Sequence, residues 1–288
     1  MLITGHTGFI GGALSKKLNL TPVSVNSLPR IHADYFFHFG SPSSQILFAE
    51  DDQCIRETIE DFIKVVEYCK RRHLKLIFPS SSTVYTKINS YAHTKSALEE
   101  IVQAYDIPYL ALRIFAGYGP GEGHKKHYSS VIYQWVKQMM AGERPVIFGD
   151  GSQSRDFVFI DDIVKTIIEN MDQEGAIDIG TGVSTSFIRI IEVINNQLGT
   201  DIEPVFLLPG QVGFWRHSQD MKSQRELNRL NKMFCGVLFK IGELQVRDRP
   251  IQSTPNYVTT LIVGLKRFKM ILIIKNLLTW KNRIILLH

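Results

Sequence analysis

The first eleven residues constrain this chain more than any other stretch. Met1 to Thr4 is a short apolar run suited to a buried strand, and glycines follow at positions 5, 8 and 11 in Gly5-His6-Thr7-Gly8-Phe9-Ile10-Gly11. A buried strand that turns at once into a helix needs one residue without a Cβ at the turn. It needs a second where backbone N–H groups approach an anion and a third where helix packs on strand. The spacing predicts a strand–turn–helix unit that holds a pyrophosphate at the helix N-terminus, through Gly5, Thr7, Gly8, Phe9, Ile10 and Gly11. Taken alone, the same spacing also suits an ordinary strand–turn–helix start.

A second signal lies about ninety residues downstream, where Ser80-Ser81-Ser82-Thr83-Val84-Tyr85 precedes Tyr91-Ala92-His93-Thr94-Lys95. A tyrosine titrates near pH 10 and is a poor base at neutrality unless a cation stabilises its phenolate. Lys95, four residues after Tyr91, falls on the same face of a helix and is placed to do this. Tyr-x-x-x-Lys also arises by chance on solvated helix faces. With the glycine turn upstream, however, the pair points to redox chemistry on a nicotinamide.

Apolar periodicity sets the architecture. Short runs at 22–25, 35–39, 75–78 and 109–114 read as strands, with helical patterns at 55–70 and 96–104 between them. This alternation predicts an α/β fold of Rossmann type, a doubly wound parallel sheet with ligands at the strands' carboxyl ends. Helices are expected at 129–140, 161–171 and 187–198, and short strands at 176–179 and 204–207, forming a smaller α/β substrate lobe. The reading divides the chain into a dinucleotide-binding domain at 1–115, a substrate-binding lobe at 116–268 and an atypical tail at 269–288.

Composition narrows the partners. The 288 residues carry a formal net charge of +5, but the lysines and arginines are scattered with no aromatic-interleaved basic stripe, so nucleic acid is not expected. Three cysteines, Cys54, Cys69 and Cys235, have no C-x-x-C spacing, which predicts neither disulfide framework nor metal site and suits the reducing cytoplasm. No signal peptide is read at the N-terminus, where the first strand begins. The Ile- and Leu-rich tail is broken by Lys275 and Lys281, so no membrane span is expected, and an interfacial helix and a functionless tail both remain open.

Five motifs in order resemble the extended short-chain dehydrogenases/reductases that act on nucleotide sugars, the NAD(P)-dependent epimerase/dehydratase family. They are the glycine turn, the serine cluster ending in Val84-Tyr85, Tyr91-x-x-x-Lys95, Leu112-Arg113-Ile114-Phe115-Ala116-Gly117-Tyr118-Gly119-Pro120-Gly121-Glu122, and Phe148-Gly149-Asp150-Gly151 through Arg155 to Asp162. The resemblance implies NAD or NADP as cofactor, a nucleotide sugar as substrate and a homodimer. It implies Ser81, Tyr91 and Lys95 as catalytic residues, with Lys95 also on the nicotinamide ribose and Phe39 and Gly40 beside the cofactor. Ser82, Val146, Phe148 and Arg155 are implied on the substrate, Arg155 gripping its diphosphate as a planar guanidinium can. Gly117 to Gly121 reads as a loop closing over the site.

Departures from the family pattern shape the expectation further. The interval from Gly5 to His38 is short, so the second and third strands look trimmed. Val25-Asn26-Ser27 stands where an acidic residue would hold the adenosine ribose, and Arg30 nearby leaves NADP open. Ala116 replaces a common asparagine, and Leu208 a phosphate-binding arginine, while Pro209-Gly210, Asp220 and Lys222 only faintly match the family's late motifs. Ser82-Thr83 occupies the place of the ionisable pair that dehydratases use, so elimination is disfavoured. The pattern favours 4-epimerisation through a transient 4-keto sugar, with an NAD(P)H-dependent 4-reductase and a catalytically weak nucleotide-binding relic as alternatives.

Overall fold

The computed structural model describes residues 1–207 and Val237. Leu208, the late motif residues to Lys222 and the tail lie outside the described residues, as does Cys235.

Six parallel strands form the central sheet in the order β10-β5-β4-β3-β1-β2. These are β1 (Leu2–Thr4), β2 (Thr21–Pro22), β3 (Tyr35–His38), β4 (Lys75–Ser81), β5 (Tyr109–Ile114) and β10 (Gly175–Ile179). Consecutive strand residues point to opposite faces, and both faces are covered. Ile3, Phe37, Ile77, Leu110 and Leu112 join one core, while Leu2, Phe36, Leu76, Phe78 and Ala111 join the other. The first core is completed by α1 (Phe9–Ser15), α5 (Val131–Met140), α6 (Ile160–Asn170) and α7 (Phe187–Leu198). The second is completed by α3 (Asp52–Arg72) and α4 (Ser90–Tyr105), and the short α2 (Gln45–Glu50) sits by the start of α4.

Small two-stranded sheets carry the remaining strands: β6 (Ala116–Tyr118) pairs with β9 (Phe157–Phe159), β7 (Val146–Phe148) with β12 (Val205–Leu207), and β8 (Ser154–Arg155) with β11 (Thr185–Ser186). Gly117 and Tyr118, expected in a loop, are therefore strand residues. Gly175–Ile179 belongs to the segment read as substrate lobe, yet it pairs with β5 along the central sheet.

The expected strand at 22–25 is shorter and earlier. Pro22 ends β2, and the Ser27 N–H then bonds the Ser24 carbonyl at 3.0 Å, closing a turn where the strand was expected to continue. From 23 to 34 the chain forms no helix and no strand beyond a Ser24–Ser27 bridge, so among the described residues no further strand lies outside β2. The topological reversal falls between β1 and β3, which opens a crevice at their carboxyl ends. No helix among the described residues is long and apolar enough to cross a membrane.

Candidate active site

The glycine turn occupies that crevice. Gly5 has φ +72°, and a side chain there would collide with the backbone of Phe39 and Gly40 at the end of β3. Gly11 packs so closely on the Gly5 carbonyl that a Cβ has no room, which seats α1 directly on β1. Gly8 is the N-cap of α1 and supplies no side chain to cap it, so the first helical N–H groups are free of a side-chain acceptor. Behind the turn, Thr4 Oγ1 lies 2.8 Å from His38 Nδ1 and accepts the Gly40 N–H at 3.2 Å. Burial pushes His38 down to about 4, which keeps the imidazole neutral.

Two adjoining cavities meet at this point. The smaller, about 240 Å³, is lined by Gly8, Phe9, Ile10, Gly11 and Phe39 and by the 41–44 loop. The larger, about 420 Å³, shares Phe9, Ile10 and Ser41 and extends past Ser81, Tyr91 and Lys95 to Arg155 and Phe187. The uncapped helix start and the close glycine turn suit a dinucleotide pyrophosphate in the smaller cavity.

Ser81 closes β4, and Tyr91 and Lys95 lie one turn apart on α4, whose first turn is capped by Asn89 accepting the Ala92 N–H at 2.9 Å. Tyr91 is buried against Phe48, with ring centroids 5.2 Å apart, and its hydroxyl lies near enough to Ser81 for the serine to hold its pKa down, while Ser81 Oγ itself accepts from the Thr83 N–H and hydroxyl at 3.3 and 3.0 Å. Lys95 donates to the Pro79 carbonyl at 3.1 Å and to Ser41 Oγ at 3.4 Å, and its ammonium lies 5.6 Å from the Tyr91 ring centre. Burial raises Tyr91 to about 12, with Ser81 opposing the rise. Burial also lowers Lys95 to about 8. The tyrosine in the protein alone is thus not a pre-ionised base, contrary to the simple expectation for a Tyr–Lys pair. The apolar wall of Phe48 and Cys54 outweighs the cation.

Arg155 stands exposed on β8 with its guanidinium 5.7 Å over Phe187. Its neighbour Asp156 accepts from Thr181 and Gly182, and among the described residues Arg155 forms no ion pair. Thr7, Gly40, Ser82, Val146 and Phe148 line neither cavity. Ser82 opens a 3-10 turn, Val146 is half-buried, and Phe148 is 56% exposed on β7.

Sequence reasoning missed Lys125. It lines both cavities, lies 4.7 Å over the Phe9 ring, and is lowered from its ordinary value by burial. Its 3-10 segment, Glu122–Tyr128, is anchored by the fully buried Glu122, which accepts the Gly119 N–H and both the N–H and hydroxyl of Ser130. Tyr128 ties the other end to Glu50 at 3.0 Å. The adjacent Lys125-Lys126 pair, following a Pro-Gly turn, was the available sequence signal.

Arg30 does not approach the adenosine side. Its neighbours Pro29 and Ile31 are held through their carbonyls by Tyr68 at 2.6 Å and Arg72 at 2.9 Å, in the last turns of α3 just before β4 begins. That is the amino-terminal end of the strands, opposite the carboxyl end that carries the glycine turn.

A parallel α/β sheet with a glycine turn at its switch point and a buried Tyr–Lys–Ser group beside it defines a dinucleotide-dependent enzyme of the short-chain dehydrogenase/reductase class. The sequence model of the NAD dependent epimerase/dehydratase family matches residues 20–180, and the chain belongs to that family. It is 30% identical over 282 residues to a putative UDP-glucose 4-epimerase of Methanocaldococcus jannaschii, covering 79% of this chain and 92% of that protein. It is 22% identical over 315 residues to an ADP-L-glycero-D-manno-heptose-6-epimerase of Alkalilimnicola ehrlichii, covering 86% and 95%. In structure it is similar to a UDP-N-acetylglucosamine 4-epimerase from Methanobrevibacter ruminantium in complex with UDP-N-acetylmuramic acid. There the TM-score is 0.67 at 25% identity, over 84% of this chain and 98% of that one.

Proposed function

We propose that this chain is an NAD-dependent nucleotide-sugar epimerase acting at the sugar C4 through a transient 4-keto sugar. The observation that carries the reading is the convergence of Ser81, Tyr91 and Lys95 on one cavity that adjoins the glycine turn. Gly8 to Gly11 and Phe39 would hold the cofactor, with Lys95 at its nicotinamide ribose. Bound there, NAD supplies the reversible oxidant for the sugar carbon.

Tyr91 must first ionise; as the phenolate it takes the C4 hydroxyl proton, and the resulting phenol returns that proton to the oxygen when the 4-keto sugar is reduced. Lys95 is still largely protonated at neutral pH, and its ammonium, joined by the positive charge that bound NAD would bring, stabilises the phenolate before it accepts that proton. Ser81 stands beside the phenol and orients the same sugar oxygen. Arg155, at the far end of the larger cavity, grips the nucleotide diphosphate, and Phe187 supports its guanidinium. Ser82 and Thr83 provide no ionisable acid beside the site, which favours epimerisation over loss of water.

The same reading takes 1–115, with β10 added to its sheet, as the cofactor domain and the remainder of 116–268 as a discontinuous substrate lobe. A cytoplasmic homodimer completes it, supported by buried, free Cys54 and Cys69 and checked by analytical ultracentrifugation. The deciding experiment incubates the protein and Tyr91→Phe with NAD and a panel of UDP- and ADP-sugars and identifies products by chromatography. Wild type interconverts one C4 epimer pair. Tyr91→Phe binds cofactor but loses at least ~10²-fold in turnover, the usual scale for a positioned acid–base group. A variant keeping a tenth of the activity refutes the role.

A further inference from the structure

Beyond Tyr91 and Lys95, α4 places a third residue on the same stripe. Glu99 follows Lys95 by one turn and is buried to 6% exposure. Its carboxylate accepts Ser80 Oγ at 2.5 Å, Arg113 Nε at 3.1 Å and an Arg113 terminal nitrogen at 2.7 Å. Ser80 immediately precedes Ser81 on β4, and Arg113 is its register partner on β5. Arg113 also donates to the Tyr85 hydroxyl at 2.9 Å, and that hydroxyl donates to Asp178 at 2.8 Å. Asp178 is in turn the register partner of Arg113 on β10. One carboxylate on the helix thus terminates a polar row across three adjacent strands, directly beside the serine that meets Tyr91.

We propose that Glu99 is a positioning residue, which fixes the register of α4 against β4 and β5 so that the Tyr91 oxygen stays on Ser81 and Lys95 on the cofactor. The inference rests on the epimerase reading above. Leu98 and Val102 pack α4 on the second core, but apolar contact is non-directional and lets a helix slide by fractions of an ångström. A forked arginine–carboxylate bond fixes both distance and direction. Displacing reacting groups by about 1 Å costs on the order of 10²-fold in rate.

The test compares the wild-type chain with Glu99→Gln, which keeps shape and one acceptor, and with Ser80→Ala, which leaves the Arg113 pair intact. Bound NAD per chain, the nucleotide-sugar KM, and kcat per cofactor-loaded chain are measured for each. The expected result is unchanged cofactor content and KM within twofold, with kcat per loaded chain lowered about tenfold or more in Glu99→Gln. In Ser80→Ala the expected drop in kcat is at least threefold. A purely structural role lowers the loaded fraction and the melting temperature and leaves kcat per loaded chain unchanged, and that outcome overturns the proposal. Should Glu99→Gln fail to fold, an unchanged kcat in Ser80→Ala overturns it equally. Should the wild type epimerise none of the sugars offered, the functional reading fails separately. The positioning claim is then decided by a crystal structure of either variant, and a Tyr91 unmoved relative to Ser81 with the Lys95–Pro79 bond retained refutes it.

Discussion

Replacing Lys95 with methionine tests the electrostatics of the site without any substrate. The ammonium is 1% exposed, and burial lowers its pKa from 10.5 to about 8. At about 1.4 kcal/mol per pKa unit, holding this charge inside costs the folded chain about 3 kcal/mol at neutral pH. Methionine keeps most of the stem and removes the charge. It also removes the bonds to Pro79 and Ser41, about 1 kcal/mol each. The net expectation is that Lys95→Met, free of ligands, is about 1 kcal/mol more stable than wild type at pH 7, while turnover is lost. The sign with pH follows from the lowered value. Below about pH 8 the lysine is charged folded and unfolded, and the full cost stands. Between about 8 and 10.5 the unfolded chain binds the proton and the folded chain does not, so wild-type stability rises with pH and the variant's advantage disappears. Tyr91, raised to about 12, is common to both proteins and cancels in the difference to first order. Urea unfolding followed by circular dichroism at pH 7 and 9.5 reads the effect. A variant less stable than wild type at pH 7, or a gap that does not shrink at pH 9.5, refutes the assignment of a costly buried charge.

Three further outcomes are expected. Arg155→Ala weakens nucleotide-sugar binding by about 1.5–3 kcal/mol, the scale of a charged hydrogen bond, and leaves NAD affinity unchanged in calorimetry; a loss confined to NAD would move the residue to the other ligand. Because Asn26 and Ser27 lie beyond β2 where a carboxylate would repel a 2′-phosphate, fluorescence titration shows NAD preferred over NADP by less than a hundredfold, about 2.7 kcal/mol, and Asn26→Asp increases that preference. Gly11→Ala forces α1 off the Gly5 carbonyl and costs ~1–3 kcal/mol as overpacking, with bound cofactor lost, which thermal melts and cofactor absorbance check together.

Periodicity located the sheet well because its inner strands bury both faces and are nearly all apolar. Strands β1, β3, β4 and β5 and helices α3 to α7 fall where the sequence places them, with boundaries moved by caps such as Asn89 and Ser130. Trimming near the second and third strands was legible from the short interval to His38. The end of β2 was not, since the Ser24–Ser27 turn depends on local hydrogen bonds rather than on hydrophobic pattern. Ser81, Tyr91 and Lys95 were legible as a spacing, but the direction of Tyr91's shift was not. It is set by Phe48, on a short helix that the pattern did not predict. Lys125 left only the Lys-Lys pair as a signal and the Glu99 row none, because each gains meaning from partners distant in sequence.

Among the described residues, the loss of an outer strand leaves β2 as the rim of the sheet, a place where another chain's strand could dock and start aggregation. The rim is closed to this by one residue. Thr21 and Val23 turn their N–H groups inward, donating to the Met1 and Ile3 carbonyls at 3.0 and 2.8 Å. The residue between them, whose N–H would point outward, is Pro22, which has none. A strand arriving from solvent finds no donor within β2, so the shortened sheet is self-limiting. Pro22→Val is the single change that would supply the missing donor and make the rim adhesive.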